Sequence, residues 1–282
     1  MSISCSIVIY NDPPMKLKDL LSTLLKSELI GNVSVVDNSN QPVNPGSFLL
    51  SGVDYIRNSY NMGFGAAHNL AMKSSIHQGI KYHLVLNPDI TIIDDVIEKL
   101  YMFMDHNPDV GSVMPKVCYP DGSNQYLAKL LPTPDWLLVR LLHNLLPSRI
   151  VNEINQNYEL RDLSLDQPVQ VPSLSGCFMF LRCDALKKAG LFDERFFLYF
   201  EDFDLIRRIQ YHYNVVYYPH CSIYHDFKRA SRGNLQAFIA HVLSSVKYFN
   251  KWGWIKDHQR EELNKRVLSY IQEKNSSLKN IN

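Results

Sequence analysis

Residues 3 to 10 read Ile-Ser-Cys-Ser-Ile-Val-Ile-Tyr and run into Asn11-Asp12-Pro13-Pro14. A short apolar run rich in β-branched residues and closed by turn formers predicts a buried strand. Leu17, Leu20, Leu21, Leu24 and Leu25 then recur at helical spacing. Val33 to Val36 predicts a second strand, stopped by Asp37-Asn38-Ser39-Asn40, and Val53 to Arg57 a third. Gly65 to His77 reads as a helix, Tyr82 to Leu86 as a fourth strand ending at Asn87-Pro88-Asp89, and Ile92 to Met104 as a helix. Strands alternating with helices predict an α/β fold, with a mostly parallel central sheet covered by helices on both faces.

Beyond Val110 the pattern shortens and mixes. Trp136 to Leu146 predicts an amphipathic helix, and Asn152 to Pro168, polar and weakly patterned, a mobile loop. Leu174 to Leu181 reads as a strand carrying Ser175-Gly176, and Cys183 to Ala189 as a short helix closed by Gly190. A helix over Glu201 to His212, a strand over Val215 to Tyr218, and helices over Leu235 to Phe249 and Arg260 to Glu273 follow. The expected division is a main domain over 1–231 and a helical C-terminal extension over 232–282. Within the main domain the change of pattern divides 1–110 from 111–231.

The chain has 282 residues, 46% of them hydrophobic, which suffices for a sizeable core. Its net charge of +1 carries no global basic field of the kind nucleic acid attracts. The balance is uneven: from Asp226 onward there are 11 Lys/Arg against 5 Asp/Glu. Five scattered cysteines without CxxC spacing predict reduced thiols rather than a zinc cluster. The start, Met-Ser-Ile-Ser-Cys, lacks the basic segment of a signal peptide, and no long apolar window reads as a membrane span, so a cytoplasmic protein is expected. Val242 to Lys256 combines Lys247, Lys251 and Lys256 with Tyr248, Phe249, Trp252 and Trp254. That composition suits either a membrane-interfacial helix or a core helix with a basic edge.

Parallel sheets bind ligands outside the carboxyl ends of their strands. Those ends carry Tyr10 and Asn11, Asp37 and Asn38, Arg57 and Asn58, and Asn87 with Asp89, a series of small polar groups suited to one ligand. Asn61-Met62-Gly63-Phe64-Gly65-Ala66-Ala67-His68-Asn69 lies between a strand and a helix, where glycine permits close backbone approach to a ligand. A dinucleotide fingerprint needs a third glycine where His68 stands, and no P-loop is present. Asp89 offers a hard cation one oxygen ligand, leaving phosphates and water to supply the rest. His225, in a polar basic loop with Arg229 and Ser231, suits a metal ligand or phosphate contact. Glu201, Asp202 and Asp204 stand directly behind the aromatic run Phe196-Phe197-Leu198-Tyr199-Phe200, a setting that draws a carboxylate pKa upward, as a general base requires.

The order Ser-Ile-Val-Ile-Tyr, Val-Val-Asp-Asn, Asn-Met-Gly-Phe-Gly, Leu-Asn-Pro-Asp, Ser-Gly-Cys-Phe-Met-Phe-Leu-Arg, Gly-Leu-Phe-Asp-Glu-Arg-Phe-Phe and Glu-Asp-Phe-Asp-Leu resembles family 2 glycosyltransferases of the GT-A fold over about residues 3 to 231. It is closest to the bacterial rhamnosyltransferase branch that builds O-antigen and related glycans. The resemblance implies an inverting, metal-dependent hexosyltransferase using Mg²⁺ or Mn²⁺, with a dTDP-sugar as favoured donor and a glycan or polyprenyl-diphosphate-linked acceptor at the inner face of the cytoplasmic membrane.

By the same resemblance Asp37 contacts the donor base, and Asn61, Gly63, Gly65 and Asn69 belong to the loop shaping the nucleotide pocket, with Tyr10, Asn11, Arg57 and Asn87 on the donor side. Asp89 is the last acid of the metal-binding DxD motif and His225 its partner in the late loop, where Arg229 and Ser231 close on the diphosphate. Gly176 and Glu201 serve the acceptor side, and Asp202 is the catalytic base. Two departures stand out: Asn87 replaces the first DxD acid, and Lys129-Leu130-Leu131-Pro132-Thr133 replaces a basic-aromatic pair before Pro-Thr. Alternatives are a family 2 enzyme using another donor, such as a galactofuranose or N-acetylhexosamine nucleotide, and a non-catalytic nucleotide-sugar or glycan-binding protein. A sugar-phosphate nucleotidyltransferase would need a Gly-rich basic signature that Tyr10 to Lys16 lacks.

Overall fold

A computed structural model of the chain describes residues 2–41, 43–48, 50–142, 145–163, 166–226 and 235–279. The first half alternates as read: β1 (Ile3–Ile9), α1 (Pro14–Leu24), β2 (Ile30–Asp37), β3 (Val53–Arg57), α2 (Phe64–His77) and β4 (Tyr82–Leu86). Next come β5 (Ile90–Ile92), α3 (Val96–His106), β6 (Val110–Cys118), α4 (Pro134–Leu141), α5 (Ser148–Tyr158), β7 (Val169–Gln170), β8 (Phe178–Arg182), α6 (Cys183–Ala189) and α7 (Glu201–Ile209). β9 (Asn214–His225), α8 (Leu235–Trp252) and α9 (His258–Lys279) complete the fold.

One sheet runs in the order β3-β2-β1-β4-β8-β6-β9-β5, with β7 pairing β9. β1, β2, β3 and β4 are parallel; β8 is antiparallel to β4 and to β6; β9 is parallel to β6; and β5 and β7 are antiparallel to β9. β1, β2, β3, β4, β6 and β9 therefore share one direction, giving the mostly parallel sheet expected. Leu17, Leu20, Leu21 and Leu24 form the buried face of α1. Each contributes about 1.5–3 kcal/mol by leaving water.

Several local expectations are corrected. Asn152 to Pro168 is not a continuous loop: its first part is helical in α5, whose Tyr158 is buried and stacks on Trp136 with centroids 3.9 Å apart. Ile92 closes a strand rather than opening a helix, because β5 pairs with the end of β9. β6 and the full length of β9 were not legible as long strands. β6 is buried along almost its whole length, yet Gly111, Ser112, Pro115 and Lys116 interrupt its apolar pattern, and β9 carries a register shift opposite Pro115 and Lys116.

His68, which breaks the dinucleotide fingerprint, has a structural part. Its Nδ1 lies 2.7 Å from Ser6 Oγ, whose other neighbour is His83 Nε2 at 2.8 Å, and His83 Nδ1 lies 2.8 Å from Ser75 Oγ. This buried polar network ties α2 to β1 and β4. Burial holds both imidazoles neutral, pushing His83 down to about 3 and His68 well below the usual histidine value.

Candidate active site

The shared strand direction brings the carboxyl ends of β1 to β4 to one end of the sheet. Because β8 runs the opposite way, its beginning lies at that same end. Ser175-Gly176-Cys177 thus reaches the strand-end groups, and the Asn87 N–H donates to the Cys177 carbonyl at 2.9 Å.

On the donor side, Asp37 is fully buried at the end of β2. Its carboxylate accepts from the Ser39 N–H at 2.8 Å, the Tyr55 hydroxyl at 2.6 Å and the Val43 N–H at 3.3 Å. Burial alone would raise its pKa; the hydrogen bonds from Ser39, Tyr55 and Val43 outweigh that and hold it below the usual aspartate value. Arg57 donates to the Asp37 backbone carbonyl at 3.0 Å, and Asn58 joins Asn38 at 2.7 Å. Tyr10 and Asn11 are exposed at the end of β1, Asn11 with a positive φ of 59° and its N–H donating to Ser39 Oγ. Asn61 accepts from the Gly63 N–H at 2.9 Å.

Gly63, Gly65 and Asn69 make close contacts within the protein itself. A Cβ on Gly63 would stand 2.3 Å from the Phe197 carbonyl oxygen, and one on Gly65 would stand 2.8 Å from Phe192 Cβ. The buried Asn69 amide donates to the Phe192 carbonyl at 2.9 Å and to Glu194 Oε1 at 3.0 Å, and its oxygen accepts from the Phe192 N–H. The motif is the seat on which residues 192–201 rest, so it shapes the site by holding Glu201 and Asp202 rather than by side-chain contact from Asn69.

That segment is held from the other side as well. Tyr199 and Phe200 are consecutive bulky residues with φ of 69° and 67°, a strained conformation that needs outside support. Phe200 is buried in a cluster with Trp136, Tyr158, Phe196, Tyr248 and Phe249, and Ser244 Oγ donates to the Leu198 carbonyl at 2.8 Å. The basic-aromatic stretch of α8 is therefore largely core: Tyr248 and Phe249 are fully buried, and Trp252 donates its indole N–H to Asp204 at 2.9 Å. Asp204 also pairs with Arg208 at 2.9 Å and Lys251 at 2.6 Å, a structural part, as its sequence position suggests.

Asp202 follows immediately. Its Oδ2 accepts from the Gly176 N–H at 3.0 Å and its Oδ1 from the Phe203 N–H at 2.8 Å. Burial raises its pKa, and the Gly176 and Phe203 bonds and the nearby Lys129 charge offset only part of that rise. Glu201 is buried beside it, its Oε2 without a hydrogen-bond partner among the described residues, and burial together with the Asp202 charge pushes it well above the usual glutamate value. Lys129, unassigned from sequence, is held there because its carbonyl accepts from Ser173 Oγ at 2.8 Å.

The pairing of β5 with β9 sets Asp89 against His225: the Asp226 N–H donates to the Asp89 carbonyl at 3.0 Å, and His225 Nε2 lies 3.3 Å from Asp89 Oδ1. Gln125 donates its amide N–H to the His225 carbonyl at 2.6 Å, so its oxygen, 2.9 Å from Nδ1, accepts from that ring nitrogen. His225 Nε2 thus faces the Asp89 carboxylate, with the Asn87 amide nitrogen 3.5 Å away, and as a neutral ring it would set one acceptor against another. Two acceptors that close require a cation or proton between them. Burial would lower the His225 pKa, but Asp89 and Cys177 raise it to about 10. The buried Asp89 Oδ1 has no hydrogen-bond partner among the described residues. One carboxylate and one oriented imidazole fit a divalent ion that takes its remaining ligands from phosphate and water; among the described residues no cluster of three or more His, Cys, Asp or Glu forms. Arg229 and Ser231 lie outside the described residues.

A parallel sheet with polar strand ends, joined through one antiparallel strand to a carboxylate-bearing helix, is the scaffold of the GT-A glycosyltransferases. The fold matches Staphylococcus aureus TarS residues 1–349 (TM-score 0.57, 17% identity, 95% of this chain and 71% of that one). It also matches a Pyrobaculum calidifontis mannosyltransferase in complex with GDP-Man and Mn²⁺ (TM-score 0.58, 13% identity, 95% and 69%). GalNAc-T7 with UDP, GalNAc and Mn²⁺ aligns at a TM-score of 0.60 and 14% identity over 83% of this chain; the chain spans 44% of that protein's chain.

The chain belongs to glycosyl transferase family 2, whose sequence model matches residues 4–190. It is 27% identical over 232 residues to the Mycobacterium tuberculosis N-acetylglucosaminyl-diphospho-decaprenol L-rhamnosyltransferase, covering 77% of this chain and 74% of that protein. Asp202 and His225 both lie beyond the family match.

Proposed function

We propose that this glycosyltransferase moves a sugar, with L-rhamnose from dTDP-rhamnose as the best-supported donor, to a polyprenyl-diphosphate-linked saccharide with inversion, in bacterial O-antigen or related polysaccharide synthesis at the inner face of the cytoplasmic membrane. The observation that carries the chemistry is Asp202: a carboxylate of raised pKa, held by the Gly176 and Phe203 N–H groups at the strand-end groove. The similarity to a rhamnosyltransferase acting on a decaprenol-linked acceptor supports the donor and acceptor classes.

In this reading Asp202 takes the proton of an acceptor hydroxyl as that oxygen bonds to the anomeric carbon. The bond from that carbon to the diphosphate breaks, and a nucleoside diphosphate leaves with the electron pair. Such a leaving group needs no protonation, so one carboxylate suffices. A glycosidase needs two facing carboxyls. Asp89 and His225 would hold a divalent ion, Mg²⁺ or Mn²⁺, which when bound stabilises charge on the diphosphate. The strand-end groups Tyr10, Asn11, Asp37, Arg57, Asn61 and Asn87 surround the donor, and Gly176 and Glu201 face the acceptor. Arg229 and Ser231 keep their proposed diphosphate part.

A thermal-shift screen over dTDP-, UDP- and GDP-sugars with Mn²⁺ tests the donor, since a ligand at 100 times its Kd stabilises by about 2.7 kcal/mol. Stabilisation by dTDP-rhamnose above the other sugars is expected. A response to UDP-sugars alone would move the assignment to another donor.

A further inference from the structure

α8 is apolar on two faces. One carries Tyr248 and Phe249 into the core. The other exposes Leu235, Phe238, Ile239, Leu243 and Val246, at the spacing of a single helical stripe. Leu235 and Leu243 are 72% and 56% exposed. The stripe is about 16 Å long at 1.5 Å per residue. α4 shares the buried cluster through Trp136 and Leu137 and adds a second exposed apolar set, Leu138 and Leu141, continued by Leu142 and Leu145, the last 81% exposed. Scattered apolar residues on a surface need no explanation, but a stripe of five on one helix face, with a further exposed set on a helix that shares its buried cluster, is more than scatter.

The charges beside the patch identify what covers it. At the carboxyl end of the stripe lies a cleft of about 400 Å³ lined by Arg195, Phe196, Lys247, Asn250 and Lys251. Lys247 donates to the neutral Arg195 carbonyl at 2.6 Å and has no carboxylate partner among the described residues. Arg195 and Lys251 are paired with Asp193, and Lys251 also with Asp204, so of the three cations Lys247 is the one left for a partner; residues 235–252 contain no Asp or Glu with which a second copy of α8 could answer it. An apolar stripe ending at a lysine with no carboxylate partner among the described residues, on a helix without acids, complements a bilayer, acyl chains taking the apolar side chains and an anionic headgroup the lysine.

We infer that the exposed face of α8, with the end of α4, docks this protein on an anionic lipid bilayer. The inference deepens the lipid-linked acceptor reading, because the opposite face of α8 supports Phe200, the residue before Glu201 and Asp202. The catalytic carboxylate thus sits about one helix diameter, roughly 10 Å, behind the docked surface.

The test is co-sedimentation of the full chain with vesicles of phosphatidylglycerol and phosphatidylethanolamine, against vesicles of phosphatidylcholine alone. Stronger binding to the anionic vesicles is expected, with at least a tenfold loss in the double variant Phe238→Glu/Leu243→Glu and a smaller, anionic-vesicle-only loss in Lys247→Glu. Both replace exposed residues, so unchanged melting temperatures are expected alongside. Wild-type levels of vesicle binding by the double variant would overturn the inference. So would a dimer in light scattering that the double variant splits while neither protein binds vesicles, which would make the face an interface between copies. The catalytic reading is judged separately, by sugar transfer to a water-soluble acceptor. Transfer without vesicle binding removes the docking face alone, and vesicle binding without transfer supports the docking face and removes the catalytic reading.

Discussion

Gly63 and Phe197 touch backbone to backbone: the Phe64 N–H donates to the Phe197 carbonyl at 3.0 Å, and any Cβ at position 63 would stand 2.3 Å from that oxygen. Through this contact the loop between β3 and α2 sets the position of the segment that leads to Asp202. Gly63 has φ +89°, so a side chain there is strained as well as obstructed. Gly63→Ala is expected to destabilise the fold by about 2–3 kcal/mol and to lower kcat through displacement of Asp202. Thermal melting with nucleoside diphosphate release measures both, and an unchanged kcat would separate the contact from catalysis.

Asp202→Asn keeps the shape and removes the base. The expected outcome is a fall in kcat on the order of 10²–10⁴, with donor affinity within a few-fold of wild type. Calorimetric titration of the nucleoside diphosphate supplies the second number. A matching loss of affinity would reassign Asp202 to donor binding.

The Asp202 pKa is raised by burial, and Asp202 must be ionised to accept a proton. Activity therefore falls as pH drops through a value above the ordinary carboxylate range. Lys129 is one of the groups pulling that pKa down, so Lys129→Met should move the acid limb of kcat/KM to higher pH. An acid limb that stays put or moves to lower pH excludes this electrostatic role.

Glu201 carries a stability signature. Its folded pKa lies well above the unfolded value, owing to burial and then to the Asp202 charge. A group raised in this way contributes stability that is fully present below the unfolded pKa and lost as pH rises through the folded pKa. Glu201→Gln removes that dependence. Relative to the variant, wild type should lose a few °C of melting temperature as pH rises, since about 1 kcal/mol corresponds to roughly 2–4 °C in a chain of this size. Parallel melting curves across pH would show that Glu201 ionises freely in the fold.

Asp89 and His225 predict divalent-ion dependence that is coupled to the nucleotide. With only these two donors, Mn²⁺ should bind the protein weakly alone and at least tenfold more tightly with nucleoside diphosphate present. His225→Ala should abolish that cooperativity, and Gln125→Leu should weaken it by releasing the ring orientation. Chelator should stop transfer. Full activity in chelator would remove the metal from the reaction.

The alternation of strands and helices was legible as far as Leu86 because each segment there carries its own period and its own stop. So were the strand-end polar groups and the acidic triplet behind the aromatic run. Leu17, Leu20, Leu21 and Leu24 are buried as their spacing predicts. Asn69 and the glycines were read toward a ligand because sequence shows only that backbone comes close to something, not to what. The partner, Phe192 to Phe197, lies more than a hundred residues downstream. Gln125 was invisible for the same reason: a hundred positions separate it from His225, and no local pattern marks the pair.

By itself, then, the sequence determined the periodic elements, the polar groups at their ends and the residue types able to do the chemistry, since these are local properties of side-chain shape and spacing. Tertiary structure alone decided the surroundings of each carboxylate. Asp204 pairs with Arg208 and Lys251 and accepts from Trp252, Glu201 is buried with its Oε2 unbonded among the described residues, and Asp202 is held by Gly176 at the groove. Burial and neighbouring charge set a carboxylate's protonation, and beside local groups such as Arg208 they include residues far away in the chain, Lys129 at Asp202 and Lys251 at Asp204.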